Sequence, residues 1–166
     1  MTQNHPDLWW VIDGELAGMP MPLIAFERRY QMGGPLDAFQ DDLPEFYRVG
    51  IRGVVSLLNL PSDAAVYAAA GFRFACFPMA NNAAPTREQA RQCSQFIDAC
   101  KAEHLPVAVH CEAGLGRTGT MLAAHLILHG LGFEEAVSRI RSRQPAAIES
   151  KAQMQFLHEL ATHRKP

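Results

Sequence analysis

Apolar positions fall into short runs near the start of the chain and into longer, helix-spaced series toward its end. Leu8-Trp9-Trp10-Val11-Ile12 predicts a first strand, ended by the turn pair Asp13-Gly14. Glu15-Leu16-Ala17 follows as its hairpin mate, and Gly18 to Pro22 reads as a connector. From Leu36 to Val49 the spacing is helical but mixed, and Pro44 either splits the stretch or begins a second short helix. Gly53 to Leu58 is an apolar run of strand length, which suits a strand covered on both faces. Asp63 to Ala70 is alanine-rich and predicts a helix stopped by Gly71, after which Phe72 to Phe77 returns to a strand pattern. Thr86 supplies an N-cap for a long amphipathic helix to Glu103, with Ala90, Cys93, Phe96, Ile97 and Cys100 along one face. Val107 to His110 predicts the central strand, and helices are expected at 117–129, 133–142 and 149–163. Strands alternating with helices, closed by a helical tail, imply an α/β fold: a mostly parallel central sheet flanked by helices. No repeat, low-complexity tract or linker breaks this order, so residues 1–166 are expected to form a single domain.

The densest chemistry follows the central strand, in His110-Cys111-Glu112-Ala113-Gly114-Leu115-Gly116-Arg117-Thr118. Five residues, two of them glycine, separate Cys111 from Arg117. Wrapped into a tight loop, Glu112, Ala113, Gly114, Leu115 and Gly116 would aim their backbone N–H groups at one point. Gly114 and Gly116 permit the positive φ and close approach that such wrapping requires. Arg117 closes the ring with a planar fork of donors matched to phosphate oxygens. The helix expected after it points its N-terminus at the same place, and this positive field favours the thiolate, the nucleophilic form of Cys111. A parallel sheet places ligands at the carboxyl ends of its strands, which is where this loop departs. An anion pocket with a nucleophile at its floor is the expectation. A buried cysteine in an ordinary strand–turn–helix junction would leave the glycines unexplained.

Composition limits the partners. The chain has 166 residues, 48% apolar and 19% charged, with a formal charge of −2. That balance gives no general reason to expect nucleic acid or an anionic membrane surface as partner, so any positive field for a substrate must be local. The four cysteines, Cys76, Cys93, Cys100 and Cys111, show no disulfide-framework spacing. The opening residues lack a basic start followed by an apolar stretch, and no apolar run reaches membrane-spanning length. With a thiolate needing a reducing compartment, a cytoplasmic location is expected.

Other clusters weigh less. His125 and His129 share a helix face, but no third ligand is near in sequence, so a structural pair is expected rather than zinc and no metal is assigned. His158 and His163 nearly imitate a metalloprotease helix, with the second histidine one position late. Trp9 and Trp10 are expected as core and rim of the first strand. Arg139, Arg141 and Arg143 read as a solvated basic face.

Together these residues resemble the protein tyrosine phosphatase superfamily, whose signature is His-Cys, five residues, Arg, then Ser or Thr. The small atypical dual-specificity phosphatases are the most similar subgroup, and the resemblance runs nearly end to end. Trp10 to Gly18 is similar to their opening strand pair and Val54 to Leu58 to their next core strand. Val109 to Leu122 is similar to their active-site segment, and Arg143 to Glu149 to the turn behind their phosphate loop. The resemblance implies a cysteine-dependent phosphatase-like sandwich in which Cys111 attacks phosphorus to form a phosphocysteine. It assigns Arg117 to the equatorial oxygens and Thr118 to the departing sulfur, and Glu149 to supporting the loop or the attacking water. No cofactor is implied, since amides and Arg117 supply the positive charge a metal would bring.

One position departs from the family. Its members carry an aspartate, the general acid, in a Pro-x-x-Asp-x-x-x-Pro setting, and here Pro78-Met79-Ala80-Asn81-Asn82-Ala83-Ala84-Pro85 places Asn81 there. Asparagine donates a hydrogen bond but gives up no proton at neutral pH. Two readings follow: a metal-free phosphomonoester hydrolase slowed by Asn81, or a phosphoprotein-binding module whose turnover has lapsed. Sulfur transfer is a distant third. Phosphotyrosine-type monoesters on proteins are the expected substrates, with phosphoserine and phosphothreonine behind them, and the chain is expected to act as a monomer.

Overall fold

The computed structural model describes residues 7–22 and 42–163. Two strands, β1 (Trp9–Ile12) and β2 (Leu16–Met19), form an antiparallel hairpin through the Asp13-Gly14 turn. After helix α1 (Leu43–Arg48) come β3 (Gly53–Ser56), α2 (Asp63–Ala69), β4 (Arg73–Cys76), α3 (Arg87–Ala102) and β5 (Val107–His110). Three helices close the chain: α4 (Gly116–Leu128), α5 (Phe133–Arg143) and α6 (Lys151–Thr162). The sheet order is β1-β2-β5-β3-β4, and every pairing beyond the first hairpin is parallel. The α/β class expected from the alternation of elements is the one observed.

Strand periodicity divides the core. Val107 and Val109 of β5, with Val55 of β3 and Leu16 of β2, face the layer built by α3 to α6. Ala108, Val54, Ala17 and Met19 point the other way, into a smaller core with Phe46 of α1 and Tyr67 of α2. Successive side chains of a strand point to opposite faces, so β5, buried at every position, is apolar on both faces up to His110 at its carboxyl end. Helix α4 has the same property in helical form: it packs against α3, α5 and α6, and residues 116–127 are all buried.

Local signals explain most boundaries. Thr86 caps α3 by accepting from the Gln89 N–H at 3.0 Å, while the Gln89 side chain reaches back to the Thr86 N–H. Ser150 and Gln153 form the same box on α6, moving that helix's start past the 149 expected from spacing. Pro44 sits in the first turn of α1, so it begins a helix instead of splitting one; residues 36–41 of that expected stretch lie outside the described residues.

One boundary needs correction. β2 runs on through Gly18 and Met19, read above as a connector, because those residues pair with Val109 and His110 of β5. Gly18 serves by lacking a side chain: a Cβ there would stand 2.3 Å from the Trp9 ring. No helix among the described residues is long and apolar enough to cross a membrane.

Candidate active site

The site begins where β5 ends. His110 is in register with Met19 of β2 and Ser56 of β3, so Cys111 leaves the carboxyl edge of the sheet between two parallel neighbours. The chain then turns through 111–115 directly into α4. Gly114 adopts φ +74°, and a Cβ there would lie 2.4 Å from the Met19 carbonyl carbon. Backbone so close cannot yield cheaply, so the loop needs glycine twice over at this position. Gly116 has no positive φ; what it provides is room, since a Cβ there would sit 3.0 Å from Glu149 Oε2.

The loop's carbonyls are drawn outward. Glu112 O accepts from the Met21 N–H at 2.9 Å and Gly114 O from Trp9 Nε1 at 3.3 Å. Leu115 O takes the N–H groups of Gly119 and Ile148 at 2.9 and 3.3 Å, and Gly116 O takes the Thr120 hydroxyl at 2.6 Å. In a trans peptide the N–H points opposite the C=O. The following amides, those of Ala113, Leu115, Gly116 and Arg117, are thereby turned to the loop's interior. No side chain caps the N-terminus of α4, so its first amides are open to the same space.

Three side chains meet this cup. Cys111 is buried at its base, and Thr118 Oγ1 donates to Cys111 Sγ at 3.1 Å. Arg117 is buried too, with Nη1 donating to the Met79 carbonyl at 3.0 Å and Nη2 3.9 Å from the exposed Glu112 carboxylate. That anchoring leaves further guanidinium donors for an anion. Burial pushes the thiols of Cys76, Cys93 and Cys100 up from their ordinary range, which keeps them protonated and non-nucleophilic.

The segment carrying Asn81 is held by its backbone. Pro78 O accepts from Gln89 Nε2 at 3.1 Å, Met79 O from Arg117, Asn82 O from Ser150 Oγ at 2.7 Å and Ala83 O from Gln153 Nε2 at 3.2 Å. Asn81 itself is exposed, and its Oδ1 accepts from the N–H of the next residue, Asn82, at 3.1 Å, where the backbone takes a left-handed φ of +62°.

Several supporting residues have roles that sequence reasoning missed. Arg141, read as part of a solvated face, instead donates to Ala147 O and Ile148 O at 3.0 and 2.8 Å. It thereby fixes a turn in which Ile148 has φ +65°, costly for a β-branched residue, against the back of the loop. Arg143 reaches Asp13 Oδ1 at 3.2 Å, in keeping with a surface role. Trp9 props Gly114 rather than only filling core. At the far end of α4, His125 and His129 do have a third candidate ligand: Asp98 of α3, whose Oδ1 is 2.9 Å from His129 Nε2. Proximity between helices, invisible in local spacing, brings it there. His125 is buried, and this, with His129 second, pushes its pKa down to about 4.

Known proteins are similar to this chain in sequence and in fold. Residues 30–131 match the family model described as Tc-R-P, polymorphic toxin system, DSP-PTPase phosphatase. Human protein tyrosine phosphatase type IVA 3 is 31% identical over 126 residues, covering 75% of this chain and 70% of that protein. Human dual specificity protein phosphatase CDC14A is 30% identical over 159 residues, 94% of this chain and 25% of that one. The chain therefore spans about a quarter of the length of the CDC14 relatives it matches. The crystal structure of Tk-PTP in its active form superposes with a TM-score of 0.79 at 29% identity, over 97% of this chain and 100% of that one. The chain belongs to the DSP-PTPase family, the dual-specificity phosphatases of the protein tyrosine phosphatase superfamily.

Proposed function

We propose that the chain acts as one phosphatase domain, hydrolysing phosphomonoesters of the phosphotyrosine type on proteins through a phosphocysteine at Cys111. In the first step a bond forms from Cys111 Sγ to phosphorus as the ester P–O bond breaks. The three non-bridging oxygens are met by the inward amides and the Arg117 guanidinium, donors already in place where negative charge develops. Water then attacks phosphorus, the S–P bond breaks, and the Thr118 hydroxyl stabilises the sulfur as its negative charge returns. Neither step requires a metal, because the amides and Arg117 carry the positive charge.

The observation that carries this reading is the 3.1 Å bond from Thr118 Oγ1 to Cys111 Sγ at the floor of a loop closed by a buried Arg117. A module that only holds phosphate gains nothing from a supported nucleophile. Asn81 argues for a slow enzyme. With no carboxylic acid in that place, the leaving oxygen takes its proton from solvent, a loss of roughly 10²–10⁴-fold for poor leaving groups. It also supports the second reading, a phosphoprotein binder with lapsed turnover, since its Oδ1 is engaged by the neighbouring Asn82 N–H. Steady release of phosphate from an activated aryl phosphate, abolished in Cys111→Ser, is expected. Phosphopeptide binding with no phosphate released would favour the binder.

A further inference from the structure

The end of α4 remote from the Cys111 loop carries a second constellation. His125 and His129 lie on one face of this helix, Asp98 comes from α3, and one ligand atom from each falls within 4.8 Å of the others. At 1.5 Å per residue, His129 is roughly 18 Å along the axis from Arg117, so the cluster is separate from the phosphate loop. It lines a cavity of about 370 Å³, shared with Glu15, Lys101 and Arg139.

Hydrogen-bond accounting makes the cluster more than a chance encounter. His129 Nδ1 is 2.9 Å from the His125 carbonyl oxygen, which only accepts, so Nδ1 holds the hydrogen. His129 Nε2 then faces Asp98 Oδ1 at 2.9 Å, and a carboxylate also only accepts. Two lone pairs at that distance require a shared cation, either a second proton or a metal ion. His125 Nδ1 is engaged by the buried Ser94 hydroxyl at 2.8 Å, which leaves Nε2 as its free ligand atom. Each imidazole thus has its Nδ1 held by a partner and turns its Nε2 to the cluster, that of His129 toward Asp98, the usual second-layer support of metal-binding histidines. Nearby charge is mixed: Lys101, paired with Glu15 at 3.0 Å, and Arg139 line the same cavity as the Asp98 carboxylate, which supplies the negative charge of the donor set.

We propose that Asp98, His125 and His129 form a three-ligand site for a divalent cation of the zinc class, fastening α3 to the C-terminal end of α4. Two imidazoles and a carboxylate suit Zn²⁺ and its neighbours Co²⁺, Ni²⁺ and Cu²⁺, with a fourth position left for water. Mg²⁺ and Ca²⁺, which prefer all-oxygen cages, are excluded by the same donor set.

The test uses chelator-stripped full-length protein carrying Cys111→Ser, so that the loop sulfur does not compete for metal. One equivalent of Co²⁺ is expected to give visible ligand-field bands without a thiolate charge-transfer band, and one equivalent of Zn²⁺ to raise Tm by several degrees. His129→Ala and Asp98→Asn, placed in this background, are expected to weaken Co²⁺ binding at least tenfold and to abolish the Tm rise. Both positions are half-exposed, with side-chain exposures of 45% and 46%, so the variants should fold, and circular dichroism checks that they do. Three results would overturn the proposal: no stoichiometric Co²⁺ spectrum, unchanged binding in the folded variants, or a thiolate band marking a different site. A fourth would do so as well: both variants lowering Tm without metal while metal shifts nothing, the mark of a plain imidazolium–carboxylate pair.

Discussion

At the scale of single residues, the account rests on which atoms face the sulfur. Thr118 donates to Sγ, the atom that departs when the proposed phosphocysteine breaks down, so its expected effect belongs to the second chemical step. Thr118→Ala should slow breakdown of the phosphocysteine about tenfold, equivalent to one lost hydrogen bond of roughly 1.4 kcal/mol. Burst kinetics with an activated aryl phosphate would reveal it, as a rapid first turnover followed by a slower steady rate. Loss of the burst itself would assign Thr118 to the first step instead. Asn81 belongs to the other side of the reaction. Asn81→Asp should raise turnover of phosphotyrosine more than that of an activated aryl ester, because only the poorer leaving group needs a proton. Equal or reduced rates for both would remove Asn81 from the acid position. Residue-scale chemistry was the part most legible in sequence, since Cys111, the glycines, Arg117 and Thr118 are contiguous and each residue type has one obvious use there. Asp98 shows the opposite case. Its partners lie on α4, nearly thirty positions onward, and no local periodicity links them.

At the scale of elements, α4 is the member on which the site is built. Its first turn closes the anion loop, its middle is buried all round, and Gly119 lets the 147–148 turn press against it. A Cβ at Gly119 would meet the Ala147 Cβ at 2.8 Å and the Ile148 nitrogen at 3.1 Å. Alanine ordinarily gains about 1 kcal/mol over glycine inside a helix. Here overpacking, which costs roughly 1–3 kcal/mol, should exceed that gain. Gly119→Ala should therefore lower Tm and reduce turnover together, as the turn shifts away from Leu115 O. A rise in Tm would mean that the turn yields freely and does not brace the loop. Elements were read from sequence where their signals were local. Thr86 announced α3, and the apolar run Gly53 to Leu58 announced a doubly covered strand. β2 was cut short because Gly18 and Met19 are strand residues only through pairing with Val109 and His110, some ninety positions away. Arg141 was misplaced for a related reason: its carbonyl partners lie in a turn whose fold is set by packing against α4.

At the scale of the whole molecule, the sheet order puts β5 in the middle and its carboxyl end between two parallel neighbours. Beyond the contacts from α4 itself, the Cys111 loop and Arg117 are held by separate parts of the chain: Trp9 from β1, Met21 after β2, Met79 after β4 and Ile148 before α6. The global fold therefore braces this loop from several sides, and under the proposed function it is this local cup that lets a chain with net negative charge bind a phosphate dianion. The central claim is covalent, and covalent capture tests it most directly. Protein mixed with an aryl phosphate, quenched in acid during steady turnover and digested, should yield a phosphoryl group on the peptide containing Cys111 by mass spectrometry. Continued turnover in Cys111→Ser, or an adduct on any other residue, would contradict the account.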